Sequence, residues 1–207
     1  MKYRLLFLLG LGAVVPAVHA QTVPAPAAGL IASLETKASR YTTGTGLVTF
    51  FSTAPLEDIE ALNSKVGAIF EMATGQLAFS MLMSDFQFKN GLMQEHFNEN
   101  YAESEKYPRA RFTGKLLTVP DEAQLRSGPQ PVYVQGQLTI HGVSRKVRVP
   151  GTLQLRDHDL VVTSKFAVAP ADYRIKIPAL VRNNIAKSID VSVIMTCQPT
   201  PAPTASR

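Results

Sequence analysis

Apolar residues recur at every second position through much of the chain. Val132, Val134, Gly136, Leu138 and Ile140 fall on one side of an extended segment, and Tyr133, Gln135, Gln137 and Thr139 fall on the other. That is the pattern of a strand with one buried face. The same alternation runs through Leu77-Phe79-Met81-Met83, Leu153-Leu155, Leu160-Val162-Ser164-Phe166-Val168 and Ile189-Val191-Val193-Met195, with shorter candidates at 47–51, 66–70 and 112–116. Many short strands separated by turn signals predict an antiparallel sandwich or barrel.

Two interruptions carry information. After Met83 the apolar parity flips to Phe86 and Phe88, which predicts a bulge or bend near Ser84-Asp85. Asn90-Gly91 then breaks the strand, and Met93, Phe97 and Tyr101 recur at four-residue spacing, the mark of a short amphipathic helix. It must end before Pro108, which disfavours helical geometry at Tyr107. A second short helix is expected over 178–186. The spacing of apolar residues around 54–75 is irregular.

Between the strands ending at Ile140 and starting at Val143 stand only His141 and Gly142. A two-residue hairpin turn of this kind needs positive φ at both positions; glycine supplies it freely, and histidine is among the non-glycine residues enriched there. His141 therefore reads as a turn residue in preference to a catalytic one. The hairpin also sets a register: Ile140 with Val143, Leu138 with Arg145, Gly136 with Val147, Val134 with Val149. Arg145 then falls on the buried face near the turn, where a guanidinium needs a carboxylate, a hydrogen-bond acceptor or a wet mouth. A longer loop or a local twist would instead turn it outward.

Lys2 and Arg4, an apolar run from Leu5 to Val15, and Val18-His19-Ala20 before Gln21 have the form of a secretory signal peptide over 1–20. The run is too short to span a bilayer, where about 20 residues are needed, so no stable membrane span is expected and the mature chain should be periplasmic or secreted. Residues 21–28 read as a Pro/Ala-rich linker, 29–197 as one domain and 198–207 as a Pro/Thr-rich tail. Without Lys2 and Arg4 the formal charge falls from +5 to +3. No basic block interleaved with aromatics points to nucleic acid. Cys197 is the only cysteine, so no internal disulfide is available, and its place at the end of an apolar alternation reads as buried packing.

Catalytic patterns are sparse. The chain has no Gly-x-Ser-x-Gly elbow, phosphate-binding loop or Cys-x-x-Cys. His96, His141 and His158 lack the spacing that puts two imidazoles on one metal, and Asp157-His158-Asp159 reads as a polar hairpin turn. Ser144, Ser164 and Ser192 have no base beside them in sequence. No enzyme activity, cofactor or metal is expected. What remains is a face of large, adaptable apolar residues, Phe79, Met81 and Met83, which suits either core packing or a surface that accepts apolar ligands.

The stretch "VQGQLTIHGVSRKVRVPGTL" resembles the hallmark hairpin of YceI-like proteins, "G-x-L-T-I-H-G-V-(S/T)", preceded as in that family by "Y-P-x-x-x-F", here Tyr107 to Phe112. "GLMQEHFNENY" is similar to the family's short helical segment, and "FFST" from Phe50 fits its first strand. Lys89-Asn90-Gly91 stands where many members carry an arginine-aspartate pair. The resemblance implies an all-β fold, an eight-stranded antiparallel lipocalin-like barrel with one or two short helices. It also implies a non-enzymatic carrier of a long apolar ligand: a polyisoprenoid, an isoprenoid quinone or a fatty-acid-like lipid. Strand parity then nominates a lining of Phe79, Met81, Met83, Val134, Leu138, Arg145, Val147, Leu160, Val162, Phe166, Val191 and Val193. The alternatives are a filled barrel serving stress response or protein interaction, and a small lipid-modifying hydrolase. Oligomeric state stays open, a dimer included.

Overall fold

The computed structural model describes residues 40–53, 58–177 and 186–200. The expected signal peptide, the linker and the start of the domain lie outside them, as does nearly all of the helix expected over 178–186.

Among the described residues nine strands form: β1 Arg40–Ser52, β2 Ile59–Glu71, β3 Gln76–Leu82, β4 Gln87–Phe88, β5 Arg109–Leu116, β6 Gln130–Ile140, β7 Val143–Arg156, β8 Asp159–Val168 and β9 Ile189–Thr200. All pairings are antiparallel, and the order β1-β9-β8-β7-β6-β5-β3-β2 is closed by β1 against β2. The eight longer strands are thus an up-and-down barrel, and the β1–β2 pairing leaves no strand at a free end of the sheet. The two-residue β4 pairs with Ala61 and Leu62 of β2, on the side that β3 occupies further along the strand. β9 reaches Thr200 by pairing with Arg40–Thr42, so strand structure continues past Cys197 into residues assigned from sequence to the tail.

The irregular spacing before residue 75 has a local cause. Inward residues of β2 run Ala61, Asn63, then Val66, Ala68, Phe70, with both Ser64 and Lys65 exposed. The β1–β2 register shifts at the same place, so a bulge resets the parity of the strand. Asn63 is fully buried and secures it: its amide nitrogen donates to the Leu82 carbonyl (2.8 Å), and its oxygen accepts from the Lys65 amide (2.9 Å).

The bend expected near Ser84 is a single 3-10 turn, Met83–Asp85, after which Phe86 returns to the core. The expected helix is α1, Gly91–His96, capped by Asn90 and continued by a π-helical turn through Tyr101. A second helix, α2 (Glu122–Ser127), is one that periodicity does not reveal, because it is too short to show it. Its capping box, Asp121 with Gln124, is the sequence signal that would have found it. α2 buries Leu125 and is fixed to the β7–β8 hairpin by Arg126, which donates to the Asp157 carbonyl.

The β6–β7 hairpin has the predicted register from Ile140↔Val143 to Val134↔Val149. His141 and Gly142 take φ of 50° and 70°, the left-handed pair that this turn requires. Asp157-His158 forms the corresponding polar turn between β7 and β8.

Candidate functional site

Among the described residues, inward-facing side chains do not fill the barrel. Two apolar chambers lie along its axis, one beside α1 of about 110 Å³ and one toward the α2 end of about 50 Å³. Phe79, Leu138, Phe166 and Val193 border both and form a waist between them.

The chamber beside α1 is walled by Met81 from the end of β3, Met83 from the 3-10 turn that follows it, Val191 from β9, and Phe50, Phe86 and Phe97. Phe50, Phe86, Phe88 and Phe97 pack ring on ring with centroids 5.0–5.7 Å apart, joining α1 to the mouth of the barrel. The second chamber is walled by Phe70, Phe112, Val134, Val147 and Val162. Phe112 stacks on Phe79 at 5.1 Å, so one ring pair runs from this chamber into the waist.

Most of the lining nominated from sequence faces these chambers: Phe79, Met81, Met83, Val134, Leu138, Val147, Val162, Phe166, Val191 and Val193. Two residues do not. Leu160 has no exposure at all and sits between Leu155 and Cys197 in the packed base of the barrel. It shares the parity of Val162 but lies below the hollow part. Arg145 pairs with Leu138 as expected, yet it is exposed and borders neither chamber. Its Nε donates to the Asp172 carbonyl at 2.8 Å, so a backbone acceptor, not a carboxylate, meets the guanidinium.

His141 does more than turn the chain. Its ring is nearly buried; Nδ1 donates to the Tyr173 carbonyl (3.1 Å), and Nε2 is hydrogen-bonded to Glu103 Oε2 at 2.6 Å. Tyr107 packs on the ring with centroids 4.2 Å apart, and a Cβ on Gly142 would come within 2.8 Å of the Tyr107 ring. The hairpin tip is thereby tied to the segment after α1 and to the 3-10 turn Pro170–Tyr173. The sequence gives no sign of these ties, because Glu103 and Tyr173 stand 38 and 32 residues away.

Two of the three serines considered above are engaged elsewhere: Ser144 with Thr139 (2.7 Å) and Ser164 with the Pro150 carbonyl (2.6 Å). Burial pushes the Cys197 thiol up to about 11, with Asp159 adding to the shift, so almost none is thiolate at neutral pH. Burial likewise raises the Tyr41 and Tyr173 hydroxyls. Among the described residues no three His, Cys, Asp or Glu side chains come together as a metal site would need, and no helix is long and apolar enough to cross a membrane.

A closed meander of eight antiparallel strands around an apolar, partly hollow axis defines a small lipocalin-like barrel, an architecture that either fills with side chains or holds one small ligand. The chain belongs to the YceI-like domain family, whose pattern matches residues 35–197.

Solved structures share the fold at low identity. A polyisoprenoid-binding domain from Saccharophagus degradans, implicated in plant cell wall breakdown, has a TM-score of 0.65 at 15% identity, covering 79% of this chain and all of its own. Burkholderia cenocepacia BcnA has a TM-score of 0.62 at 15% identity, covering 73% and 95%. A Campylobacter jejuni YceI protein has 0.58 at 13% identity, covering 72% and 90%. No curated protein matches the sequence.

Proposed function

We propose that this protein is a non-enzymatic binding protein that holds a long apolar ligand, an isoprenoid or acyl chain, along the barrel axis. The observation that carries the reading is the pair of apolar chambers meeting at the Phe79–Leu138–Phe166–Val193 waist. A lumen that a monomer had no use for would be expected to fill at the density of other protein interiors. The polyisoprenoid-binding domain from Saccharophagus degradans, built on the same fold, supports this choice of ligand class. The leader-like residues 1–20 support an exported, periplasmic or secreted carrier.

Native mass spectrometry of the protein purified from its own host tests both parts. The expected result is a chain beginning at Gln21 that carries a stoichiometric mass, extractable into solvent as an isoprenoid or acyl lipid. A clean apo mass, unchanged after incubation with geranylgeraniol and palmitate, would overturn the carrier reading in favour of a barrel without cargo. Retention of residues 1–20 would overturn the cleaved-leader reading.

A further inference from the structure

The barrel wall opens on one side. β7 and β8 pair from Arg156↔Asp159 up to Gly151↔Ser164, and there the ladder stops. β7 nonetheless stays paired with β6 back to Val143, and β8 with β9 up to Val168. Residues 143–150 and 165–168 therefore present facing edges with no ladder between them.

The opening is framed at both ends. At its base, a Cβ on Gly151 would lie 2.7 Å from the Thr163 carbonyl oxygen, so glycine allows the two backbones to pinch together, and Ser164 ties to Pro150 just above. At its top, the turn Pro170–Tyr173 bridges the gap, its carbonyls held by Arg145 and His141. The result is a window of about 570 Å³. Its floor includes Leu138, Val147 and Phe166, which also line the chambers, so the window and the lumen adjoin across these side chains.

The rim is cationic. Arg145, Lys146 and Arg148 from β7 and Lys165 from β8 border it, all exposed, with Asp172 as the acidic residue among them. Among the described residues none of these four cations forms an ion pair; Arg148 lies over the Tyr133 ring at 4.4 Å, and Arg145 holds a backbone carbonyl. An apolar floor beneath a rim of four cations and one carboxylate fits one kind of molecule. Its tail can enter the dry lumen, while its charged head, too costly to bury there, stays at the rim and receives charge-assisted hydrogen bonds.

We propose that the β7–β8 window is a head-group site for an amphipathic anion, a phosphate- or carboxylate-headed lipid whose tail occupies the chambers. The proposal rests on the ligand-binding reading above and specifies the head group that reading leaves open. Arg145 has a second task at the turn, so the test uses the other three cations.

The full chain and a K146Q/R148Q/K165Q variant, checked for an unchanged urea midpoint, are titrated with geranylgeraniol and geranylgeranyl monophosphate, which share one tail. Wild type should bind the phosphate roughly ten-fold tighter than the alcohol at low salt, a preference that shrinks as salt is raised to about 0.5 M. The variant should bind the alcohol as wild type does and lose the preference. Alcohol binding with no preference in wild type, or a preference that survives in the variant, overturns the head-group site alone. Failure of wild type to bind either compound overturns the ligand-binding reading, and the head-group site falls with it.

Discussion

Replacing Met81 with tryptophan fills the chamber beside α1 from within. Met81 lines that chamber and faces Ala110 across the β3–β5 ladder, so a larger ring meets a small neighbour and about 110 Å³ of open space. Overpacking a full core costs about 1–3 kcal/mol. Here the added atoms enter space that is already empty, and the expected change in stability is below about 1 kcal/mol. The loss falls on the ligand. An indole that displaces three methylene-sized groups of a bound chain, at about 0.8 kcal/mol each, removes roughly 2.4 kcal/mol, or ~50-fold in Kd. Calorimetric titration of wild type and M81W with farnesol delivered as monomer, beside urea melts of both proteins, measures the two quantities together. A folded M81W that binds within about two-fold of wild type would refute the assignment of this chamber to the ligand.

Leu160→Ala should cost about 2–5 kcal/mol in urea unfolding while leaving farnesol affinity unchanged, since Leu160 lies in the packed base; reduced affinity in the folded variant would move the lumen's floor. His141→Asn keeps a residue that tolerates positive φ but gives up the Glu103 and Tyr173 contacts, so it should lose about 1–2 kcal/mol, and His141→Ala more. Equal melts for wild type and H141N would reduce His141 to a turn residue. Cys197 should resist a thiol reagent at pH 8 in the folded protein and react once unfolded. Because its folded pKa is raised from 9.0 to about 11, the unfolded chain loses this proton first. Its stabilising contribution is whole below pH 9 and lost as pH rises toward 11, with Tyr41 and Tyr173 acting in the same direction. A Cys197→Ala variant with the same alkaline stability slope would show that the thiol plays no part.

Parity is what made the barrel legible. A residue on the buried face of an alternating strand points to the axis, and that rule places lining residues on β3, β6, β7, β8 and β9 from the sequence alone. Parity gives face, however, and not depth. Leu160 and Val162 obey it equally, yet one is packed in the base and the other borders a chamber, because position along the axis depends on strand stagger, which no local pattern encodes. Arg145 shows the other limit. Its register partner was readable from the turn, and the apparent buried cation vanishes because the wall beside it is open, a property of β7 relative to β8. Pro150 is the trace this leaves in the sequence: a residue without an N–H, inside a strand, just where the ladder to β8 ends.

The energetics of an apolar cargo also direct attention to that opening. A chain of tens of carbons buried from water would, at about 0.8 kcal/mol per group, sum beyond the observed affinity limit near −20 kcal/mol. Its actual reference state is a membrane, where the chain is already dry, so most of that sum cancels on transfer into the lumen. Net affinity then depends on chain fit and on polar contacts that a bilayer surface does not match. The chambers supply fit through the Phe79–Leu138–Phe166–Val193 waist and the Met81 and Met83 wall. The cationic rim of the β7–β8 window is where the polar part of the difference would arise. Discrimination between cargoes should accordingly be set more by head group than by tail length, a ranking that titration of one head group on several tails, and one tail under several head groups, measures directly.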